Sequence, residues 1–236
     1  MNLGRFIVIK ISLISDKHWS KTYARILVSM GVMLVVLGTD AWAIDDRTPE
    51  QIVEDTSTTV LNTINEDNDR LREDPTLINQ LINDTVIPII DLGSMGKLIL
   101  GKYWKKASEE QRASFIAEFK DMLIRTYAKS LVDYGHAKVN VLPARGKQEG
   151  KYYTVQSELD VGSGKPPLQV AYIFRRNKQT EWKVFDLAVD GLSLVKNFRT
   201  SFGQEIRETS LDTLIERLAN TNRSGTTDEV AEVVAE

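Results

Sequence analysis

Cysteine is absent from all 236 residues, which excludes disulfides and thiolate metal sites. The fold must therefore hold by burial. Histidine is nearly as scarce: of the two present, His18 lies near the N-terminus and His136 falls in an expected surface turn. With no other His beyond the N-terminal stretch and no carboxylate pair nearby, His136 has no partners for a metal. No G-x-S-x-G sequence occurs, so the strained elbow that exposes a nucleophilic serine is missing. Gly162-Ser163-Gly164-Lys165 is only a fragment of a phosphate loop. Leu159 stands where its first glycine belongs, Pro166 follows the lysine in place of Ser or Thr, and a strand comes next where a helix is required. An excess of positive charge is also lacking, since 30 basic face 33 acidic residues, leaving no electrostatic reason to bind nucleic acid or an anionic bilayer.

Long apolar runs are lacking too. Residues 26–37 form one of twelve positions, well short of the roughly 20 that span a bilayer. Lys17, Lys21 and Arg25 precede it and Ala41-Trp42-Ala43 follows as an A-x-A site, so residues 1–43 read as a signal peptide. Its removal leaves 25 basic and 31 acidic residues, a net charge of −6. The expected organisation is a signal peptide over 1–43, one domain over 44–220, and a disordered acidic tail over 221–236, where Ser, Gly, Thr and acidic residues dominate.

Along the domain, helix is expected from Pro49, with Ile52, Val53, Val60, Leu61 and Ile64 in one stripe. The polar run 65–74 interrupts it, a second helix starts near Pro75, and Pro88 ends or kinks that one. A short helix bounded by glycines follows over 91–104. Ser108 and Gln111 form a capping box that opens a long helix at Glu109, carrying Phe115, Phe119, Met122, Leu123, Tyr127 and Leu131 on one side and ending near Gly135. Four strands are expected at 137–142, 151–161, 168–175 and 182–189. In the second, Tyr153, Val155, Ser157 and Leu159 share a face; in the third, Leu168, Val170, Tyr172 and Phe174 do. Short turns between them suit an antiparallel meander. Asp190-Gly191 turns the chain, Ser193 caps a helix carrying Leu194, Val195, Phe198 and Phe202, and Leu211, Leu214, Ile215 and Leu218 mark a last one. Helices, then strands, then helices argue an α+β fold with helices on a curved four-stranded antiparallel sheet.

Asp186, flanked by Phe185 and Leu187 on the fourth strand, has two readings. It is a general base of raised pKa, or it lies at the outer or rim face paired with an arginine such as Arg175. The apolar stripes likewise have two, since periodicity does not separate solid core from pocket wall.

Three motifs in order carry a resemblance. They are Asp190-Gly191-Leu192-Ser193-Leu194-Val195 with Phe198-Arg199 and Phe202; the glycine-bounded helix closing in Tyr103-Trp104; and the helix opening Ser108, Gln111, Arg112, Phe115. Together they resemble the MlaC family over nearly all of 50–220. The resemblance implies a cone-like fold similar to the NTF2 class, with an apolar pocket between sheet and helices. It further implies a periplasmic, non-enzymatic phospholipid carrier that maintains outer-membrane lipid asymmetry and lends organic solvent tolerance, with no cofactor beyond the phospholipid cargo. Pocket residues implied are Phe115, Phe119, Met122, Leu123, Tyr127, Tyr153, Val155, Leu159, Leu168, Val170, Tyr172, Phe174, Leu187, Val195, Phe198 and Phe202. Partners implied are an inner-membrane ABC-transporter complex with a hexameric MCE-type subunit and an outer-membrane lipoprotein–porin complex. Two other readings stay open: a pocket enzyme, isomerase or hydrolase, built on Asp186 and Tyr172, and a protein-binding adaptor whose stripes are only core.

Overall fold

The computed structural model describes residues 46–143, 151–162, 164 and 166–224, all within one unit, Ile44–Glu236. The expected signal peptide, and the expected tail from residue 225 onward, lie outside the described residues. Helix α1, Pro49–Glu66, starts at a capping box: Thr48 Oγ1 accepts from the Gln51 amide at 3.3 Å and Gln51 Oε1 accepts from the Thr48 amide at 2.9 Å. The polar run expected to interrupt it instead forms a short helix, α2, Asn68–Glu73, because one apolar residue, Leu71, is enough to dock the turn. Helix α3, Pro75–Leu81, is capped by Asp74 and runs on as a π turn, Ile82–Val86, and a 3-10 turn, Ile87–Ile89. Pro88, with no amide to give, falls in that last turn.

Helix α4, Leu92–Leu100, ends at Gly101, whose φ of 53° suits glycine. Helix α5, Glu109–Asp133, opens with the expected Ser108–Gln111 box, Ser108 Oγ accepting from the Gln111 amide at 3.1 Å. The sheet is β1, Lys138–Val141; β2, Tyr152–Asp160; β3, Leu168–Arg176; β4, Trp182–Val189; and β5, Leu192–Ser193, in sequence order with antiparallel neighbours throughout. Five strands replace the expected four. Asp190 and Gly191, with φ of 49° and 84°, make a two-residue hairpin that sets Leu192 opposite Val189 and Ser193 opposite Ala188. A two-residue strand is too short to show alternation, which is why periodicity missed it. Ser193 then caps α6, Leu194–Glu208, accepting from the Lys196 amide at 3.1 Å. Helix α7 runs over Leu211–Ser224, taking in the first four residues of the expected tail, and Asn222 Nδ2 donates to Glu118 of α5 at 2.8 Å.

Burial divides into three clusters. One joins α4, α5, α6 and α7 around Phe115, Phe119, Phe198 and Phe202. A second joins α1, α2, α3 and the far end of α5 around Ile64, Leu71, Ile78 and Val132. A third sets Ile52 and Val53 of α1 on Val155, Phe174 and Val184 of the sheet.

Candidate functional site

The register builds one apolar sheet face from β1 to β4. Val139 lies opposite Leu159 and that opposite Leu168; Val141 opposite Ser157, then Val170 and Val189; Val155 opposite Tyr172, then Leu187; and Tyr153 opposite Phe174, then Val184. A bulge between Ile173 and Phe174 gives β4 an extra residue, so Leu187 and Val184 both fall on this face although they lie three apart in sequence. No charged strand residue stands among these rows. Glu158, Arg175, Lys183 and Asp186 alternate onto the other face.

Burial across the face is graded. At the α1 end Val155, Phe174 and Val184 are closed over, and Tyr153 donates its hydroxyl to Glu50 of α1. That bond to a carboxylate raises the Tyr153 pKa, with burial adding to it. Tyr172 and Leu187, in the Val155 row, are half-buried, as are Val189 and, at the opposite end, Leu159, while Leu168 at that end is 37 % exposed. Apolar side chains thus run from a sealed end to an open one.

A few hydroxyls interrupt this surface. Ser157 is 1 % exposed, and its Oγ makes no hydrogen bond of accepted geometry among the described residues. Burial raises the pKa of the adjacent Tyr172 phenol, an effect that the nearby hydroxyls of Ser157 and Ser57 partly offset. Ser57 comes from α1, one turn beyond Val53. On α5, Tyr127 Oη is buried and without a hydrogen-bond partner among the described residues, and burial raises its pKa.

The residues expected to line one pocket do not share one wall. Phe115, Phe119, Met122, Val195, Phe198 and Phe202 are buried in the helical cluster, with Leu123 packed against it. The rings there touch one another: Phe119 meets Phe198 edge-on at 5.2 Å and lies parallel to Phe115 at 5.8 Å. Val155 and Phe174, with Tyr153 and Tyr172 against them, belong to the sheet cluster. Leu159, Leu168, Val170 and Leu187 join the latter group through strand register, while Tyr127 belongs to neither cluster. Val139, Val141, Val184 and Val189 complete the face and were missed. Alternation in the first and fourth strands was the signal available for Val139, Val141 and Val189, whereas the bulge takes Val184 out of phase and hides it from periodicity.

A cavity of about 780 Å³ lies elsewhere, between α2, α3, α5 and α7. Leu71, Ile78, Ile124 and Val132 form part of its lining, but so do Arg72, Asp121, Lys129 and Arg223, a mixture unsuited to hydrocarbon. None of the expected pocket residues lines it.

Asp186 lies on the face away from the apolar rows, as one of its two readings expected, but its carboxylate is engaged by the hairpin and not by Arg175. Its Oδ1 accepts from the amides of Leu187 and Val195 at 2.8 and 3.1 Å, and its Oδ2 accepts from Ser193 Oγ at 2.6 Å, so it pins the hairpin to the start of α6. Arg175 pairs instead with Asp91, the capping residue of α4, at 2.9 Å. Exposed His136 sits in its turn with Nε2 3.0 Å from the Val161 carbonyl. No described helix is long and apolar enough to cross a membrane.

Comparison with known proteins places this geometry in context. The MlaC protein family model matches residues 54–220. The Intermembrane phospholipid transport system binding protein MlaC of Haemophilus influenzae is 23 % identical over 177 residues, covering 75 % of this chain and 83 % of that protein. Toluene tolerance protein ttg2D of Pseudomonas putida is 25 % identical over 187 residues, covering 79 % and 86 %. Among solved structures, a phospholipid-binding protein from Ralstonia solanacearum in complex with a phospholipid matches with a TM-score of 0.68 and 24 % identity, over 76 % of this chain and 99 % of that one.

Proposed function

The chain belongs to the MlaC family, and from that premise we propose that it is a phospholipid-binding transport protein whose acyl chains lie on the apolar sheet face. The observation that carries the reading is the graded burial of that face, sealed under α1 at Phe174 and open at Leu168. Two acyl chains of about 30 methylenes, at about 0.8 kcal/mol each, would cost on the order of 20 kcal/mol in water. A carrier must cover them on the way. Its surface competes with a bilayer of equal apolarity, so transfer between membrane and carrier runs near balance while free lipid in water is forbidden.

The same reading makes the protein a non-enzymatic, periplasmic shuttle between an inner-membrane ABC-transporter complex with a hexameric MCE-type subunit and an outer-membrane lipoprotein–porin complex. Energy for directional movement would come from the transporter. Residues 1–43 would serve as the export signal, with cleavage after Ala43. Asp186, engaged at the α6 cap, is not offered as a base, which weakens the isomerase alternative.

Purification of the exported protein from its own periplasm, followed by organic extraction and mass spectrometry, tests the proposal. Phospholipid is expected in near-stoichiometric amount. Gently purified protein without lipid would overturn it.

A further inference from the structure

Ser157 is out of place on the sheet face. Its neighbours along the strand are Val155 and Leu159, and the residue directly opposite is Val170, so an alanine or valine would pack there without a hydroxyl to satisfy. Leaving such a group buried and unpaired is destabilising by about 1–3 kcal/mol. The position is nonetheless 1 % exposed, and among the described residues its Oγ meets no acceptor at good hydrogen-bond geometry, the one polar group that interacts with it being the Tyr172 phenol, itself a hydroxyl. Tyr172 stands diagonally across the β2–β3 pair, within reach of a long side chain, and brings its phenol to the same spot. Helix α1 supplies the third hydroxyl. Val53, one turn before Ser57, packs on the sheet, and Val60, one turn after it, packs in the cluster with α3 and α5, so Ser57 lies in the gap between the two apolar contacts.

We propose that Ser157 and Tyr172, with Ser57 beside them, form an anchor for the ester carbonyl of a lipid bound on the apolar sheet face. This rests on the carrier reading and adds to it a choice of linkage chemistry. The hydroxyls need an acceptor that arrives in company with hydrocarbon. An ester carbonyl is such a group, since it accepts hydrogen bonds, donates none and carries no charge. A headgroup phosphate does not suit the spot, because no cationic strand residue stands among the rows from Tyr153 and Phe174 to Leu159 and Leu168. An ether-linked lipid keeps the same chains and headgroup but lacks the carbonyl, and would leave Ser157 unsatisfied.

The test offers the exported protein vesicles holding equal amounts of diacyl and dialkyl phosphatidylcholine of one chain length, re-isolates it, and measures the ratio taken up by mass spectrometry. Enrichment of the ester lipid by about 2- to 10-fold is expected, the range that one neutral hydrogen bond supplies. In the double variant Ser157→Ala, Tyr172→Phe the ratio should return to that of the vesicles. A ratio is unaffected by any loss of total uptake, and if the double variant does not fold, the single variants Ser157→Ala and Tyr172→Phe, each removing one hydroxyl, carry the same comparison. Uptake of both lipids in the offered proportion overturns this inference and leaves the carrier reading standing. Uptake of neither lipid overturns the carrier reading, and this inference with it. Variants that keep the wild-type enrichment show that other groups choose the ester, and overturn the assignment to these hydroxyls.

Discussion

The helical cluster and the sheet face are built from the same kinds of side chain and end in different states. Phe115, Phe119, Phe198 and Phe202 are each 0–1 % exposed and packed ring against ring. On the sheet, Phe174 is 0 % and Leu168 37 % exposed, with Tyr172 half-buried and Val170 at 8 % between them. The first region has used up its apolar surface within the chain; the second leaves some of it uncovered. Apolar character is therefore no guide to lipid binding by itself. What matters is whether a side chain's neighbours are supplied by the same molecule.

The strongest way to test that difference is to remove bulk where packing is closed. Phe119→Ala should lower stability by about 3–5 kcal/mol, a fall in Tm on the order of 10 °C, while the protein that remains folded still carries lipid. Thermal unfolding monitored by circular dichroism, with lipid extraction of the folded fraction, checks both halves. An unchanged Tm would mean that the helical cluster is looser than described.

A charge on the open face should do the reverse. Val170→Asp is expected to fold with native circular dichroism and to carry little or no phospholipid, because space vacated by lipid admits water around the carboxylate. Leu159→Arg should behave alike. If these variants unfold as solid-core variants would, the two regions are the same in kind and the adaptor reading gains.

The smallest effect concerns the junction of the two regions. Asp91 caps α4, its carboxylate accepts from the Ser94 amide and hydroxyl at 2.9 and 2.6 Å, and Arg175 of β3 pairs with it. Burial pushes its pKa up, but the Ser94 bonds and the Arg175 charge outweigh that and leave it below the usual carboxylate value. The contribution to stability is therefore fully present above the unfolded value of about 3.9 and is lost as pH falls through the lower folded value. Asp91→Asn should be less stable than wild type at neutral pH, with the gap closing as pH falls below the unfolded value. A gap constant from pH 7 to pH 2 would show that the carboxylate's charge plays no part.

Local chemistry was legible wherever it acts within a few residues. The Ser108–Gln111 box, the Ser193 cap, the α+β order and the face shared by Val155, Leu159, Val170 and Tyr172 all follow from spacing, because capping and pleat alternation are short-range geometry. Legibility stopped where a signal was short or distant. The hairpin strand β5 has two residues, and the polar segment of α2 is helical only because Leu71 finds Val60, Ile64 and Ile78 nearby.

The sequence by itself thus determined the order of elements, the caps that start them, and which residues share a strand face or helix stripe. Only tertiary structure decided which stripes close on one another. Phe119 and Val170 look alike as periodic apolar positions, yet three other helices surround the first and an open sheet end lies beside the second. The same holds for the hydroxyls of Ser57 and Ser157, exactly one hundred positions apart in the chain and without local meaning until α1 crosses the sheet. Spacing reports which way a side chain faces, whereas burial depends on what the rest of the chain brings to meet it.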